Sequence, residues 1–590
     1  MKLIGLTKDK DILFVQAYLL LAHKGVKINE VSYIRTVFSD KKSGYEEFWK
    51  SEQVTCHVDH ILSNGIINNE EDYQVIEEEI YQFYLSNTKE EQVYVFIAGG
   101  HTLLNIAIQK AAYLFGAKDS FQMLVNVPRD EEPKTIEDVK KRIETNDILY
   151  ASVGYEPGWN VLKTLILKKN ISHTIKSITK NLESRNVSDI NEYPFECLNL
   201  LPVKAIEWLR SRSYESDRDW ITNLPKVELH CHLGGFATTG SLLTKVRLAA
   251  DNSYDIGQIK NIEYPKDWPL TNDNLPLDNY MFLGDNNGSY ILKNIGCLRE
   301  QVSLLYDHFL IQNIRYAEVR CSPLNYVSDD YSATEILSTI VDTFNFKMNQ
   351  ANKAMKSWCH VNLIIIATRR QDKDMSKIDA NLSLAINSES ASKKEGRCKI
   401  VGVDLAGFEN KKTRAELYEA NFKPINRAGI AITVHAGEND DSEGIWQAVF
   451  KLSARRLGHA LNLYQDSKLL KSIVNRNIGI EMCPYANYQI KGFYPKQNTD
   501  TIYPLINYLN AGARVTINTD NIGISQATLT DNFLLASVMN PDLTRMNILQ
   551  LIRNGLEVAF IDRDLKIRLI KMFNQEIFDL LHSNELLQTI

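Results

Sequence analysis

The chain has 590 residues, of which 44% are hydrophobic and 24% charged, and its formal net charge is −6. This composition excludes a mainly disordered protein, and the length predicts two or three domains. The negative net charge excludes a general electrostatic attraction to nucleic acid or to an anionic membrane, so a polyanionic ligand would need a local binding site.

The N-terminus carries charged residues where a signal peptide needs an apolar centre. The longest apolar run, from Ile12 to Ala22, is too short to span a bilayer. The eight cysteines are scattered singly, which favours reduced thiols over a disulfide framework. We therefore expect a cytoplasmic protein with no membrane partner and no direct binding of long nucleic acids.

Residues 1–170 alternate between strand and helix patterns. Helices are predicted at Asp11–His23 and Leu103–Phe115, and strands are predicted at Lys2–Thr7, Val26–Thr36, Gln92–Ala98 and Gln122–Val127. The alternation predicts a doubly wound, Rossmann-like α/β domain whose ligand site lies beyond the carboxyl ends of its strands.

A short glycine motif, Gly99-Gly100-His101-Thr102, follows one of these strands and opens a helix. Backbone N–H groups at such a position can bind a phosphate, with help from the helix dipole. The motif by itself fits a tight turn equally well, because the full dinucleotide and Walker patterns are both missing.

Residues 171–222 read as a helical connector without a further strong strand. Residues 223–590 then contain eight apolar segments, each followed by a helical stretch, which predicts a (β/α)₈ barrel with its catalytic residues at the carboxyl ends of the strands. The segments are Val227–His232, Arg315–Ser322, Val361–Arg369, Ile400–Gly407, Ala431–Glu438, Arg456–Leu461, Ile478–Pro484 and Arg514–Asp520.

Polar clusters fall at four of these predicted strand ends. His230 and His232 are two apart on the first strand, so both imidazoles project to one face, while His435 and Asp520 end the fifth and eighth. Three imidazoles and one carboxylate form a ligand set that suits zinc and leaves a position for water. Any one of these motifs alone is more often a packing feature, but together they predict a metal site with Glu438 and His459 as acid and base.

The segment from Leu224 to about Gly523 resembles the adenosine and AMP deaminase family. The resemblance is carried by Leu-His230-Cys-His232-Leu, Tyr-Ala-Glu-Val-Arg320, Asp404-Leu-Ala-Gly407, His435-Ala-Gly-Glu438, Leu-Gly-His459-Ala and Thr-Asp520. It implies an amidohydrolase-type barrel that binds one zinc ion per chain and converts an adenine compound to an inosine compound with release of ammonia.

Residue roles follow from the same resemblance. It implies that His230, His232, His435 and Asp520 bind zinc, that Glu438 protonates the purine N1, and that His459 orients or deprotonates the water. Gly407 would offer its backbone N–H to the purine ring. The alternative deaminase zinc site, with its Pro-Cys-x-x-Cys motif, is absent from the chain.

Two positions depart from the family pattern. Gly234 stands where adenosine deaminases usually carry an acid that binds the ribose 5′-hydroxyl, and its loss favours nucleotides because a carboxylate would repel a phosphate. Asn521 stands where the family often has an aspartate that contacts the purine N7, and an amide can donate a hydrogen bond at any pH. Gly234 also fits a neutral turn.

A long insertion follows the first barrel strand and includes Trp268 and the Tyr280-Met-Phe282 run. Such an insertion predicts a lid that excludes water from the substrate. Arg320, Arg369 and Arg370 fall at predicted strand ends and are candidates for binding phosphate, although arginines at such positions more commonly form ion pairs.

The first domain resembles the CRISPR-associated Rossmann-fold (CARF) sensor domains, through the Gly99–Thr102 motif, the helix after it and Thr7 at the end of the first strand. Together with the barrel, it is similar to the CRISPR-associated CARF adenosine deaminases. That resemblance implies that cyclic oligoadenylate binds at Thr7, Gly99, Gly100, His101 and Thr102 and activates deamination, with ATP as the favoured substrate, in type III CRISPR antiviral defence. A ring-shaped activator predicts a homo-oligomer built on a sensor dimer.

Two other functions remain compatible with the residues. One is a constitutive adenosine or AMP deaminase whose first domain only assembles the oligomer. The other is a catalytically silent adenine-nucleotide binding protein, in which Gly234 and Asn521 have altered the pocket.

Overall fold

The computed structural model divides the chain into two compact units, Met1–Val203 and Lys204–Ile590. The boundary lies inside the predicted connector, so the helix Ile171–Glu183 belongs to the first unit and the helix Arg218–Asn223 to the second. The structure describes residues 1–8, 10–36, 44–60, 67–88, 92–97, 102–128, 133–154, 162, 165–167, 170–183, 193–251, 262–271, 274–284, 288–353, 358–370, 374–389, 396–491 and 503–582.

The first unit contains a six-stranded sheet with the order β3-β2-β1-β4-β5-β6. Its strands are β1 Lys2–Thr7, β2 Glu30–Arg35, β3 Thr55–His60, β4 Val93–Phe96, β5 Asp119–Val125 and β6 Ile148–Gly154. Its helices are α1 Ile12–His23, α2 Glu46–Ser51, α3 Glu70–Asn87, α4 Thr102–Phe115, α5 Ile136–Glu144 and α6 Ile171–Glu183. Strands β1 to β5 are parallel and β6 is antiparallel to β5.

This topology confirms the predicted doubly wound α/β fold. The apolar strands β1 and β4 are buried along their whole length, as expected for central strands of a parallel sheet covered on both faces. The order of the strands reverses between β1 and β4, and ligands of such sheets bind at this switch point. The edge strand β3 escaped the sequence analysis because polar residues interrupt it, whereas β6 was missed although it begins with the apolar run 148–151.

The second unit contains an eight-stranded parallel sheet in which every strand pairs with its neighbours in the chain. The strands are β7 Lys226–His232, β8 Ile314–Cys321, β9 His360–Thr368, β10 Ile400–Ala406, β11 Ala431–Ala436, β12 Arg456–His459, β13 Gly479–Met482 and β14 Arg514–Ile517. A bridge between Cys231 and Asp520 connects the first strand to the chain just beyond the last. The predicted (β/α)₈ barrel is therefore confirmed.

Helices surround the barrel and cross its ends. They are α7 Val203–Arg210, α8 Arg218–Asn223, α9 Gly240–Leu248, α10 Leu277–Gly284, α11 Ile295–Ile311, α12 Ala333–Lys353, α13 Ser376–Glu389, α14 Glu419–Ala428, α15 Ser442–Leu452, α16 Ser467–Asn475, α17 Pro484–Lys491, α18 Leu505–Asn510, α19 Ile522–Ser525, α20 Leu529–Met539, α21 Arg545–Val558 and α22 Arg563–His582. No helix among the described residues combines the length and apolar character needed to cross a bilayer.

Seven of the eight barrel strands end one to three residues earlier than the sequence predicted. β11 ends at Ala436 and β14 at Ile517, so Glu438 and Asp520 lie in the segments that follow. The chain turns in these segments, and Asp520 has a left-handed backbone with φ of +60°. Such conformations are uncommon for non-glycine residues and cluster at functional sites.

The interior of the barrel holds a chain of five charged side chains, all with 0% exposure. Glu318 pairs with Arg456, Arg456 with Glu481, Glu481 with Arg320, and Arg320 with Asp404. We call this chain of residues the charge ladder. Charges alternate along it, so each buried carboxylate faces a guanidinium, which offsets the cost of removing both from water.

We expect Arg456→Met to destabilise the protein by about 3–5 kcal/mol, because Glu318 and Glu481 would each lose a buried partner. Urea titration of the full chain measures the change in the free energy of unfolding. The control is Arg553→Met, which removes a partly exposed helix ion pair with Glu557 worth about 0.3–0.5 kcal/mol. Equal losses in the two variants would contradict a stabilising role of the ladder.

Candidate active site

The carboxyl end of the barrel brings four of the predicted side chains together. One ligand atom from each of His230, His232, His435 and Asp520 lies within 4.8 Å of the corresponding atoms of the others. His230 and His232 alternate with Cys231 on β7, and their imidazoles share one face of the strand. These are the residues that the sequence analysis assigned to metal binding.

Hydrogen bonds to the charge ladder set the orientation of two of these imidazoles. Nδ1 of His230 lies 2.9 Å from Oε2 of Glu481, and Nδ1 of His435 lies 3.1 Å from Oδ1 of Asp404. A carboxylate acceptor fixes the proton on Nδ1 and leaves Nε2 with a free lone pair. Nε2 of His230 is buried without a hydrogen-bond partner among the described residues, at 3.7 Å from Oδ1 of Asp520.

The electrostatics of the cluster favour the neutral form of the His230 and His232 imidazoles. Burial lowers the pKa of His230 and His232 well below the ordinary value, and the positive charge of Arg320 lowers both further. Burial alone would raise the pKa of Asp404, but Arg320 and His435 outweigh it and lower that pKa. Neutral imidazole is the form that binds metals.

The donor set fits a zinc ion. Three imidazoles and one carboxylate match the nitrogen and oxygen ligands that zinc takes in catalytic sites. Burial raises the pKa of Asp520 to about 6. A cation between the four side chains would favour the ionised carboxylate and would occupy the unpaired Nε2 of His230.

Glu438 and His459, the predicted acid and base, lie beside this cluster. Nε2 of His459 is 3.7 Å from Oε1 of Glu438, and Nδ1 of His459 is 3.0 Å from Nδ2 of Asn487. Oε1 of Glu438 is buried without a hydrogen-bond partner among the described residues. Burial raises the pKa of Glu438 well above its usual range, and the charges of Asp520 and Glu409 raise it further, which favours the protonated carboxyl group.

Two glycines allow this arrangement. Gly437 has φ of +79°, and a Cβ there would approach Cδ1 of Ile445 to 2.4 Å, so the turn that presents Glu438 requires glycine. A Cβ on Gly458 would lie 3.0 Å from Cε1 of His230 and would crowd that imidazole.

A cavity opens above the cluster. Its lining includes the three residues predicted to bind substrate, together with polar and apolar side chains from several loops. Gly407, Gly234, Asn521, Glu438, Ser289, Ser322, Asn325 and Tyr326 are among them. Nδ2 of Asn521 donates to Oδ1 of Asp520 at 2.8 Å, so in this structure the amide orients a member of the metal cluster.

The insertion after β7 forms one wall of this cavity. Leu277, Tyr280 and Met281 line it, and the hydroxyl of Tyr280 lies 2.8 Å from Oγ of Ser525. Trp268 donates from its indole to the carbonyl of Ile524 at 2.9 Å. The predicted lid segment therefore borders the cavity, although Phe282 points away, with 62% exposure.

Two of the arginines considered for phosphate binding are held in the interior. The guanidinium of Arg320 is part of the charge ladder, and that of Arg369 donates to the carbonyls of Thr413, Leu405 and His435. Their hydrogen bonds organise the ends of the strands. Arg370 is half-buried, and its backbone N–H donates to the hydroxyl of Tyr418.

The predicted activator residues belong to the first unit. Thr7 ends β1, and Thr102 begins α4 after β4, which places them at the carboxyl ends of the two strands that flank the switch point. The hydroxyl of Thr7 accepts the N–H of Lys10 at 3.2 Å. Gly99, Gly100 and His101 lie outside the described residues.

Several residues around the site were given no role in the sequence analysis, where Asp404 stood only as part of a family motif. Glu481 and Asp404 hold the imidazoles, Asn487 contacts His459, and Glu409 contacts the segment that carries Glu438. A signal was available for Glu481, because an ionisable residue within the apolar strand Gly-Ile-Glu-Met needs a buried partner. Glu409 and Asn487 lie on loop and helix segments where polar residues are ordinary.

We expect Asp404→Asn to lower the affinity of the site for zinc by about 10–100-fold, because the ligand His435 would lose a charged hydrogen-bond partner. Titration with a competing chelator measures this affinity. Asp562→Asn is the control, since the largely exposed carboxylate of Asp562 pairs with Lys399. An unchanged zinc affinity in Asp404→Asn would contradict the inference that the charge ladder supports metal binding through His435.

The second unit is similar to known proteins. Residues 225–576, more than half of the chain, match the family model described as adenosine deaminase. An adenosine deaminase from Clostridium acetobutylicum is 28% identical over 355 residues, which cover 60% of this chain and 98% of that protein. One from Shewanella denitrificans is 33% identical over 261 residues, 43% of this chain and 71% of that protein.

Among solved structures, an adenine deaminase from Arthrobacter aurescens is 18% identical, with a TM-score of 0.47, and covers 60% of this chain and 99% of that one. The family match spans the barrel and every residue of the His/His/His/Asp cluster. Through its second unit, the chain belongs to the adenosine deaminase family.

Proposed function

We propose that the protein is a zinc-dependent hydrolytic deaminase of adenine nucleotides, with ATP converted to ITP and ammonia. The observation that carries this proposal is the meeting of the His230, His232, His435 and Asp520 cluster with Glu438 and His459 at one cavity. Membership of the adenosine deaminase family supports hydrolytic deamination of an adenine compound.

The four clustered side chains would hold the zinc ion. When bound, the ion supplies a Lewis acid that makes water nucleophilic at neutral pH. His459 would orient the attacking water and take its proton, since its Nδ1 is tied to Asn487 and its Nε2 faces the cavity beside Glu438.

Glu438 would act as the acid on the purine. Because burial raises its pKa and favours the protonated carboxyl group, it can donate a proton to N1 and make C6 electrophilic. The backbone N–H of Gly407, on the neighbouring loop after β10, would hold the ring. The water oxygen then forms a C–O bond at C6 as its proton passes to His459. His459 returns this proton to the amino group, the C–N bond breaks and ammonia leaves, and the proton of the new hydroxyl restores Glu438 as the C6 carbonyl forms.

The surroundings of Gly234 support a nucleotide as substrate. A Cβ at this position would lie 3.0 Å from Oγ of Ser289 and 3.6 Å from the hydroxyl of Tyr326, so neutral hydroxyls occupy the space of an acidic side chain. Ser322 adds a buried hydroxyl that has no partner among the described residues. Neutral groups of this kind accept a phosphate without the repulsion that a carboxylate would cause.

We expect the double variant Gly234→Asp, Ser289→Ala to lose activity on ATP far more than on adenosine. A carboxylate about 4 Å from a phosphate costs roughly 1–4 kcal/mol per unit charge. This corresponds to about a 5- to 1,000-fold fall in the ratio of kcat/KM for ATP to kcat/KM for adenosine. The Ser289→Ala change makes room for the new side chain. Gly234→Asn with Ser289→Ala is the neutral control, and an equal loss for both substrates would contradict a nucleotide pocket.

For the first unit we propose a sensor that binds cyclic oligoadenylate and activates the barrel, in a homo-oligomer that acts in type III CRISPR antiviral defence. Thr7 and Thr102 at the switch point of the sheet support a ligand site there, and α4 begins at this point with its N-terminal N–H groups. Gly99, Gly100 and His101 complete the proposed site.

Ammonia release from adenosine, AMP, ADP and ATP, with and without cyclic oligoadenylates of different ring size, tests both proposals. We expect turnover of ATP that rises on addition of activator, and we expect Gly100→Glu to abolish the rise while zinc content stays the same. Equal turnover with and without activator would refute gating and leave a constitutive deaminase.

Glu438→Ala is the control for chemistry in this assay. Because Glu438 is not among the clustered ligand atoms, the variant should keep its zinc and lose turnover by several orders of magnitude. A wild-type chain that binds ATP without releasing ammonia would identify a silent binding protein instead.

A further inference from the structure

Glu409 lies two residues after Gly407 and has no part in the predicted site. Its side chain is buried, with 2% exposure. Its carboxylate accepts four consecutive backbone N–H groups: Oε1 accepts from Gly437 at 2.7 Å, and Oε2 accepts from Glu438 at 3.0 Å, Asn439 at 2.9 Å and Asp440 at 3.3 Å. One side chain therefore satisfies the backbone of the whole segment 437–440.

A carboxylate suits this position better than any other side chain of its size. It offers two acceptor oxygens and no donor, whereas a glutamine would turn an NH₂ group toward at least one of the four N–H groups. The segment is largely buried, so unpaired N–H groups could not turn to water instead. Hydrogen bonds to an ionised acceptor are also shorter and stronger than neutral ones.

A second contact fixes the far end of the same segment. Arg414 donates from Nε to Oδ2 of Asp440 at 2.6 Å and from Nη2 to Oδ1 at 2.9 Å. Glu409 and Arg414 both belong to the chain that follows β10, and Gly407 begins that chain. The loop after β10 thus holds the loop after β11 at both ends.

We propose, on the basis of the proposed function, that Glu409 is a positioning residue that holds Glu438 in register with Gly407. In that function the purine ring lies between the N–H of Gly407 and the carboxyl group of Glu438. The distance between these two groups must match the width of the purine ring. Glu409 lies only two residues after Gly407 and binds the backbone of the loop that carries Glu438, so it links the two loops close to both groups. Glu409 itself contacts backbone and not substrate.

A variant that keeps shape and removes the charge tests this inference. We expect Glu409→Gln to lower kcat on the order of 10²-fold, since a shift of about 1 Å in a reacting group can cost that much. Zinc content should stay stoichiometric, and KM should change by less than about threefold, because the ground-state contacts of the substrate remain. Glu416→Gln, an exposed glutamate farther along the same loop, is the matched control and should retain wild-type kcat.

A double-mutant cycle separates positioning from general weakening of the fold. If Glu409 acts through Glu438, then Glu409→Gln added to Glu438→Gln should cost little more than Glu438→Gln alone. Losses that multiply in the double variant would overturn the inference. Should Glu409→Gln fail to fold, Glu409→Asp takes its place, because it keeps the charge on a side chain one methylene shorter.

Hydrogen exchange of the amides of residues 437–440 gives a readout that is independent of turnover. Faster exchange of these amides in Glu409→Gln supports the anchoring, and unchanged exchange overturns it. If the wild-type protein is active and the Glu409→Gln variant is equally active, this inference is overturned while the proposed function stands. A wild-type chain that deaminates no adenine compound overturns the proposed function and, with it, the catalytic purpose of Glu409.

Discussion

The alternation of charge inside the barrel is the constraint on which the active site depends. Three carboxylates and two guanidinium groups are fully buried there, and each is stable only because it faces an opposite charge. Two of the carboxylates also accept hydrogen bonds from His230 and His435. The same ladder therefore stabilises the barrel interior and points the imidazole lone pairs at a common centre.

The groups around that centre have different electrostatic environments. The ladder lowers the pKa of Asp404, whereas burial and the neighbouring acids Asp520 and Glu409 raise the pKa of Glu438. The environments of these two carboxyl groups at one end of the barrel thus favour opposite protonation states. Pairs of this kind separate an anion that orients a ligand from an acid that can donate a proton.

Loops surround the cavity above the cluster. Residues of the insertion after β7 line it, and Ser289 occupies the space beside Gly234. The loop after β10 spans Gly407 and Glu409 and binds the backbone that carries Glu438. The cavity is therefore lined largely by segments outside the strands, as is usual for (β/α)₈ barrels.

The sequence by itself determined the two folds, the eight barrel strands to within a few residues, and which histidine, aspartate and glutamate side chains meet at the carboxyl end of the barrel. It could do so because strand periodicity and histidine spacing are local, and because strand ends converge in a barrel. Only the tertiary structure showed that Glu481, Asp404, Asn487 and Glu409 support these residues and that Arg320 and Arg369 are internal. These roles depend on contacts between residues that lie up to 251 positions apart in the sequence, and no local sequence pattern encodes such contacts.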